Sequence, residues 1–389
     1  MNRRRLILNS FVFCFLFLFL YAPAALRALD PDKKITQYSV QVLNMEAGLP
    51  GNTVFAVQQT QEGFLWIGTQ DGLVRFDGVN IELFTREKIP QLKDNVIRAL
   101  YEDRNGTLWI GTTSGGLTRC KDGEFTTYPI TKHKALSRII AINRDQWGNL
   151  WIGSFTGGLT RLSNGQFTTY TTKDGLPHNQ VRAIYKDGKG VLWVTTTAGI
   201  VKLLKPGNFQ AFPSINDLPY YKTVSLYKVD TGELWIGTGE NGLFQLKNGI
   251  LTSYGAEEGV PHQTITALYE DRMKNLWIGT DGGGLTRMSN GQLSTLSVGD
   301  GVAGGSVHSI YEDREGSLWL GTLDGGLHQL RDSKFTAFTT REGLVHDYIQ
   351  CIYEDRTRDL WIGTWGGLHR LKEENLTSLT TKNGLSITG

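Results

Sequence analysis

Fifteen residues before each of eight successive tryptophans stand Gly51, Asp94, Leu136, His178, Tyr220, His262, Gly304 and His346. Alternate members of this set, Asp94, His178, His262 and His346, are oxygen and nitrogen donors. Gathered around one opening, they could hold a metal ion or an anion. The same alternation also follows from duplication of a two-repeat unit that leaves histidines on exposed loops. With their neighbours they sketch a polar, aromatic rim for a small ligand: His178, Asn179, Tyr220, Tyr221, His262, His346 and Asp347. Eleven residues before the tryptophans the side chains vary freely: Phe55, Arg98, Ile140, Arg182, Val224, Thr266, His308 and Gln350. Variation at one position of otherwise repetitive units suggests a channel lining, with Arg98, Arg182 and His308 as its ligand-contacting members.

Catalytic constellations are harder to find. The Tyr-Glu-Asp-Arg runs beginning at Tyr101, Tyr269, Tyr311 and Tyr353 place carboxylates side by side, as a hydrolase would require. They recur at one position of separate units, so a turn-capping role for Asp103 and its counterparts is expected, with Arg104 reaching toward a neighbouring unit. The stretch Asp281–Gly284 (DGGG) resembles a phosphate loop, but its equivalents Thr113–Gly116 and Asp324–Gly326 read as hairpin tips. No G-x-S-x-G, H-E-x-x-H or P-loop lysine motif occurs. No catalytic residue and no cofactor is assigned.

What must position these residues is a repeat. Trp66, Trp109, Trp151, Trp193, Trp235, Trp277, Trp319 and Trp361 are spaced by 43 residues once and then by 42 six times. Such a period means stacked copies of one supersecondary unit rather than separate domains. In the second unit, Asn95–Glu102 reads as a strand, Asp103–Gly106 as a turn and Thr107–Thr112 as a second strand. Thr113–Gly116 reads as a hairpin, Leu117–Cys120 as a third strand and Phe125–Tyr128 as a fourth. Four short strands leave no room for a helix, and a sheet this small must be covered by its neighbours. Ten residues before each tryptophan the side chain is small: Ala56, Ala99, Ala141, Ala183, Ser225, Ala267, Ser309 and Cys351. Crowding at one fixed depth suits strands converging on an axis. The expectation is an all-β fold, a single β-propeller of four-stranded antiparallel blades. Eight blades is the preferred count, with seven blades plus a spare unit as the alternative. Ile35–Val40 resembles an outer strand and could seal the ring, yet Leu376–Thr380 offers the last unit its own, and Asn383–Leu385 resembles the entry to another repeat.

The remaining composition bounds the function. Met1–Arg5 carries three arginines, Leu6–Leu20 is almost wholly apolar, and small residues follow at Ala22–Ala25 and Ala28. This is the order of a secretory signal, and the apolar run is shorter than the roughly 20 residues of a spanning helix. The expected organisation is a signal peptide over residues 1–28 and a propeller over 29–389, placing the protein in the periplasm or cell envelope. Membrane attachment is expected only if the signal stays uncleaved. The chain has 40 Lys+Arg against 38 Asp+Glu, and loss of Arg3, Arg4, Arg5 and Arg27 would leave it at −2, which argues against nucleic-acid binding. Of three cysteines, Cys14 lies in the signal, and Cys120 and Cys351 are expected to be packed, unpaired thiols.

Gly48–Pro50, Gly63–Thr69 (GFLWIGT) and Gly72–Gly78 (GLVRFDG) together resemble the two-component regulator propeller repeat, and the resemblance runs from about Ile35 to Gly389. It implies an exported sensor module that binds an extracellular ligand, an oligosaccharide among the candidates, for a histidine kinase or diguanylate cyclase acting in cis or in trans. Members commonly carry about fourteen repeats, a spanning helix and an output domain; the present residues show eight repeats and neither of the others. A propeller lyase or carbohydrate-active enzyme, and an envelope scaffold, are the competing readings.

Overall fold

The computed structural model describes residues 28–212, 223–229, 232–302, 304–332, 337–372, 375–382 and 385. The signal segment therefore lies almost wholly outside the described residues, as do Tyr220 and Tyr221. The described chain is all-β: eight four-stranded antiparallel sheets, plus five three-residue 3-10 turns. The second sheet is representative, with strands Ile97–Glu102, Leu108–Thr112, Leu117–Lys121 and Glu124–Tyr128. The strand beginning at the -LWIGT- segment is buried along its whole length in seven of the sheets, which is why it reads as an unbroken apolar run.

Two compact units result. One comprises Val40–Asp332 with the preceding residues 28–31; the other comprises Asp32–Ser39 and Ser333–Gly389. In the first unit, seven sheets close a ring. The seventh has three strands of its own, Val307–Glu312, Leu318–Thr322 and Leu327–Arg331, and its fourth is Ser39–Leu43 from the beginning of the chain. The first and seventh sheets share a core in which Leu43, Leu327 and Trp319 pack with Leu49, Val54 and Ile67. Gly326 N–H donates to Asn52 O at 2.8 Å, and the Arg314 guanidinium donates to the carbonyls of Gln61 and Thr60. The ring thus closes at seven, the alternative count, and the eighth sheet belongs to the second unit. The sealing strand is Ser39–Leu43 rather than Ile35–Val40, because Ile35–Gln37 forms a 3-10 turn and Leu43 supplies the apolar side chain of the closing core.

Each apolar cluster of the ring lies between neighbouring sheets. Ala99, Trp109 and Leu117 of the second sheet pack on Ile139, Ile142 and Ile152 of the third, and Trp193 and Ile200 of the fourth pack on Leu226 and Ile236 of the fifth. This relocates the cause of the small residues. Ala99 stands opposite Gly111 in the paired strand, and a Cβ on Gly111 would lie 3.2 Å from Ala99 Cβ and 3.0 Å from Ile139 Cβ of the next sheet. Crowding between sheets, more than crowding at the axis, demands Ala or Ser. At the ring closure a Cβ on Gly321 would lie 2.7 Å from Val54 Cγ1. The one departure in the ring, Thr195, is fully buried, and the residue that follows in register is Thr223 where the other repeats have Val or Ile.

The second unit holds the eighth sheet, Ile349–Glu354, Leu360–Thr364, Gly367–Lys372 and Asn375–Leu379. Its first strand is exposed throughout, including Ile352, Tyr353 and Cys351. Cys351 is therefore an exposed thiol, not a packed one. Cys120 is buried, and desolvation lifts its thiol to about 11.

Candidate functional site

Two rims carry different chemistry. On the first, the turn between first and second strands is organised by an aspartate. Asp103, Asp145, Asp187, Asp271, Asp313 and Asp355 each accept the indole N–H of the tryptophan six residues on, at 2.7–3.1 Å. The other carboxylate oxygen takes backbone N–H groups of the turn, as Asp145 Oδ1 does from Trp147 at 3.0 Å and Asn149 at 2.8 Å. The capping role holds, and in the sixth sheet the arginine of the run reaches the next sheet: Arg272 donates to the carbonyls of Asp313 and Arg314. The acidic side chains there are structural. Glu312, mostly buried and receiving Arg272 N–H, is raised from its usual pKa by desolvation. In the first and fifth repeats the residue six before the tryptophan is Thr60 or Val229, neither of which carries a carboxylate. Beside these two tryptophans open clefts of about 260 Å³, lined by Arg75, Glu82, Glu102 and Phe125, and about 350 Å³, lined by Glu233, Glu270 and Lys274.

The opposite rim is built from the hairpin between second and third strands and the loop entering the next sheet. Thr113 N–H donates to Val96 O, Arg138 N–H to Thr113 O at 2.8 Å, and Phe155 N–H to Arg138 O at 2.9 Å, so hairpin and entry loop are stitched together from sheet to sheet. Here the residues singled out from sequence can be placed. Asp94 Oδ1 accepts Val96 N–H, and its Oδ2 accepts Ser114 N–H at 2.6 Å. His178 Nδ1 accepts Gln180 N–H at 3.0 Å and lies 2.9 Å from Thr197 Oγ1. His262 Nδ1 accepts Thr264 N–H at 3.1 Å, and His346 Nδ1 accepts Tyr348 N–H at 2.9 Å. All four perform one task, receiving the N–H two residues downstream and so fixing the loop. For the histidines this commits Nδ1 as an acceptor and leaves the ring proton on Nε2. His346 belongs to the second unit. Among the described residues no group of three or more His, Cys, Asp or Glu is arranged to hold a metal ion. Asn179 and Asp347 are also loop staples, accepting the N–H groups of Thr172 at 2.9 Å and Thr340 at 2.6 Å.

The variable position behaves differently. Arg98 lies with its guanidinium carbon 4.3 Å from the centre of the Phe55 ring and donates from Nε to Thr113 Oγ1 at 3.1 Å. Arg182 lies 4.7 Å from the Phe155 ring centre. Arg138, missed in the sequence, lies 4.4 Å from the same ring. It stands thirteen residues before Trp151, in a column whose one other charged member is Lys222. Reading that column beside the neighbouring variable position would have shown arginines in three consecutive repeats. Arg98 and Arg182 are both pulled below the ordinary arginine value, first by burial and then by the charge of Arg138. His308 feels Arg98 as well as Asp281 and Asp324, and burial holds it below the usual histidine value. The structure thus brings Arg98, Arg138 and Arg182 into one patch, with His308 in electrostatic reach, and leaves the loop histidines as separate members of their own turns.

The pattern of the two-component regulator propeller family matches residues 48–71, 91–114, 175–198, 259–282, 301–324 and 343–366. A comparison with curated protein sequences finds no match. Among solved structures, the extracellular domain of a protein described as a hybrid two-component system from B. thetaiotaomicron is 21% identical with a TM-score of 0.65, over 88% of this chain and 54% of that one. The extracellular domain of one described as a one-component system from the same organism is 23% identical with a TM-score of 0.62, over 88% and 47%. The chain therefore spans about half the length of these two. Virginiamycin B lyase from Staphylococcus aureus is 17% identical with a TM-score of 0.61, over 77% of this chain and all of the lyase. These likenesses establish the propeller fold.

Proposed function

Because the chain is built of two-component regulator propeller repeats, we propose that it is an exported, non-catalytic sensing module whose channel mouth takes a small extracellular ligand. One observation carries this reading. The strands, tryptophans and turn-capping aspartates repeat from sheet to sheet, whereas side chains that vary between repeats meet one another: Arg98 on Phe55, Arg138 and Arg182 on Phe155, with His308 in electrostatic reach of Arg98. A structural role alone gives no reason for variety there, whereas recognition of an asymmetric molecule requires it. His178 and His262 border that mouth in this reading. An oligosaccharide remains a candidate ligand, and a histidine kinase or diguanylate cyclase, in cis or in trans, would read out its binding.

The test is binding without turnover. The purified chain, titrated against a panel of extracellular oligosaccharides and organic acids, should bind at least one and return it unchanged. A fusion of residues 1–30 to a reporter active only outside the cytoplasm should be exported. A cytosolic fusion would defeat the sensor reading. A lyase reading has one observation in its favour, the His308 ring within electrostatic reach of Asp281 and Asp324. Conversion of the ligand to product, abolished in His308→Ala, would put the enzyme in place of the sensor.

A further inference from the structure

We propose that the quadrant of the mouth formed by the second to fourth sheets is an oxyanion site, taking a ligand that bears a carboxylate or a sulfate on Arg98, Arg138 and Arg182. The proposal rests on the reading that this mouth binds a ligand, and adds the charge that ligand must carry. Three guanidiniums from consecutive repeats share the patch, two of them on one phenylalanine ring. Phe55 and Phe155 hold the guanidinium carbons over their rings at 4.3–4.7 Å by cation–π attraction, a contact that does not consume N–H donors.

None of the three has an acidic partner within ion-pair distance among the described residues. The acid nearest in effect to Arg98 is Asp94, whose two oxygens already accept Val96 and Ser114 N–H. Arg182 Nε is buried with no hydrogen-bond partner among the described residues. Arg98 and Arg182 are half buried beside the exposed Arg138, and like charges so gathered, with an unmet donor among them, are unfavourable until an anion fills the gap. Arg138 adds backbone strain. Its φ is +50°, in the left-handed region that a long side chain occupies only when the surroundings hold it there. The stitching of its N–H to Thr113 O and of its O to Phe155 N–H does so. Planar, bidentate donors of this kind match carboxylate and sulfate oxygens.

Calorimetric titration of the full chain with sodium citrate, with sodium sulfate and with neutral maltose tests this. At least one of the two anions should bind, and Arg138→Gln and Arg182→Gln should each weaken that binding at least tenfold, with Arg104→Gln on the other rim as the unchanged control. Binding of citrate alone assigns a carboxylate, and binding of sulfate alone a sulfate. Without added anion, the melting midpoints of Arg138→Gln and Arg182→Gln should equal or exceed that of the parent, because one of three repelling charges is gone. A lowered midpoint in both would make the arginines structural and overturn the proposal, as would failure of both anions to bind. If maltose binds equally well to the parent and the arginine variants, the charge assignment falls while the ligand-binding reading stands. If an anion binds at these arginines and is then turned over, the site stands and the sensor reading falls.

Discussion

Replacing Asp145 by alanine isolates what the turn-capping carboxylate does. Asp145 accepts four hydrogen bonds, from Trp147 N–H at 3.0 Å and from Asn149 N–H, Asn149 Nδ2 and Trp151 Nε1 at 2.8 Å each. Trp147 is half exposed, so water can replace the bond to its N–H, but Trp151 is fully buried and Asn149 nearly so. Asp145→Ala would strand the indole N–H and at least one donor of Asn149. With about 1–3 kcal/mol for each buried donor left unmet, the expected loss is about 2–6 kcal/mol. Asp145→Asn is not a rescue. If its carbonyl stays with the turn, its NH2 faces two donors, and if it flips, the turn loses its acceptor. Urea denaturation followed by tryptophan fluorescence reads the loss as a lower midpoint at unchanged slope. Gln146→Ala, an exposed neighbour, should shift the midpoint by no more than about 0.5 kcal/mol. If Asp145→Ala moves it no further than Gln146→Ala, the carboxylate–indole bond is ornamental and the account of the turn is wrong.

Three other outcomes follow from particular contacts. His328 is fully buried, and desolvation holds its pKa at about 4 against 6.5. The unfolded chain therefore takes up the proton first, and stability present above pH 6.5 should fall by up to about 3 kcal/mol as pH drops toward 4. His328→Thr, which installs the residue that Thr118, Thr160 and Thr286 occupy in sister sheets, should remove that slope in pH-dependent denaturation. Gly111→Ala should cost about 1–3 kcal/mol by overpacking Ile139 and Ala99, whereas a Cβ on Gly165, at its φ of +79°, would meet nothing within 4 Å; an unchanged denaturation midpoint in Gly111→Ala would mean that contact between sheets does not set the glycine. Val40→Pro, in the strand that seals the ring, should lower the thermal midpoint, while Lys382→Pro, beyond the last strand, should not.

The fold was legible because its rules are local and written eight times. Trp109, Gly111 and Ala99 meet inside one pair of strands, so their spacing announces the sheet. The number of sheets in the ring was not legible by that route. Ile35–Val40 and Leu376–Thr380 look alike as outer strands, and choosing between closures means pairing Ser39–Leu43 with Leu327–Arg331, a contact no local pattern encodes. The spacing of the rim histidines leaves a donor set and loop-fixing residues equally open; the bonds from Gln180, Thr264 and Tyr348 N–H show the second role. Asp103 could be read as a turn cap from its neighbours, but its bond to Trp109 could not. Arg138 was hidden because its role comes from Phe155 and Arg182 across two hairpins, not from its own repeat.

The strand Ser39–Leu43 is among the first of the ring to leave the ribosome, and its partner Leu327–Arg331 is the last. Until that partner appears, the growing stack has two open ends. The first sheet shows Val54 and Ile67 without Trp319, and the newest sheet shows an unmatched row of backbone N–H and C=O groups. Such a stack is a template for its own kind, and two nascent chains can trade leading segments as readily as one chain can finish itself. Dilute synthesis, or a chaperone that shields the leading segment, should therefore govern the yield of monomer more than the stability of any single sheet.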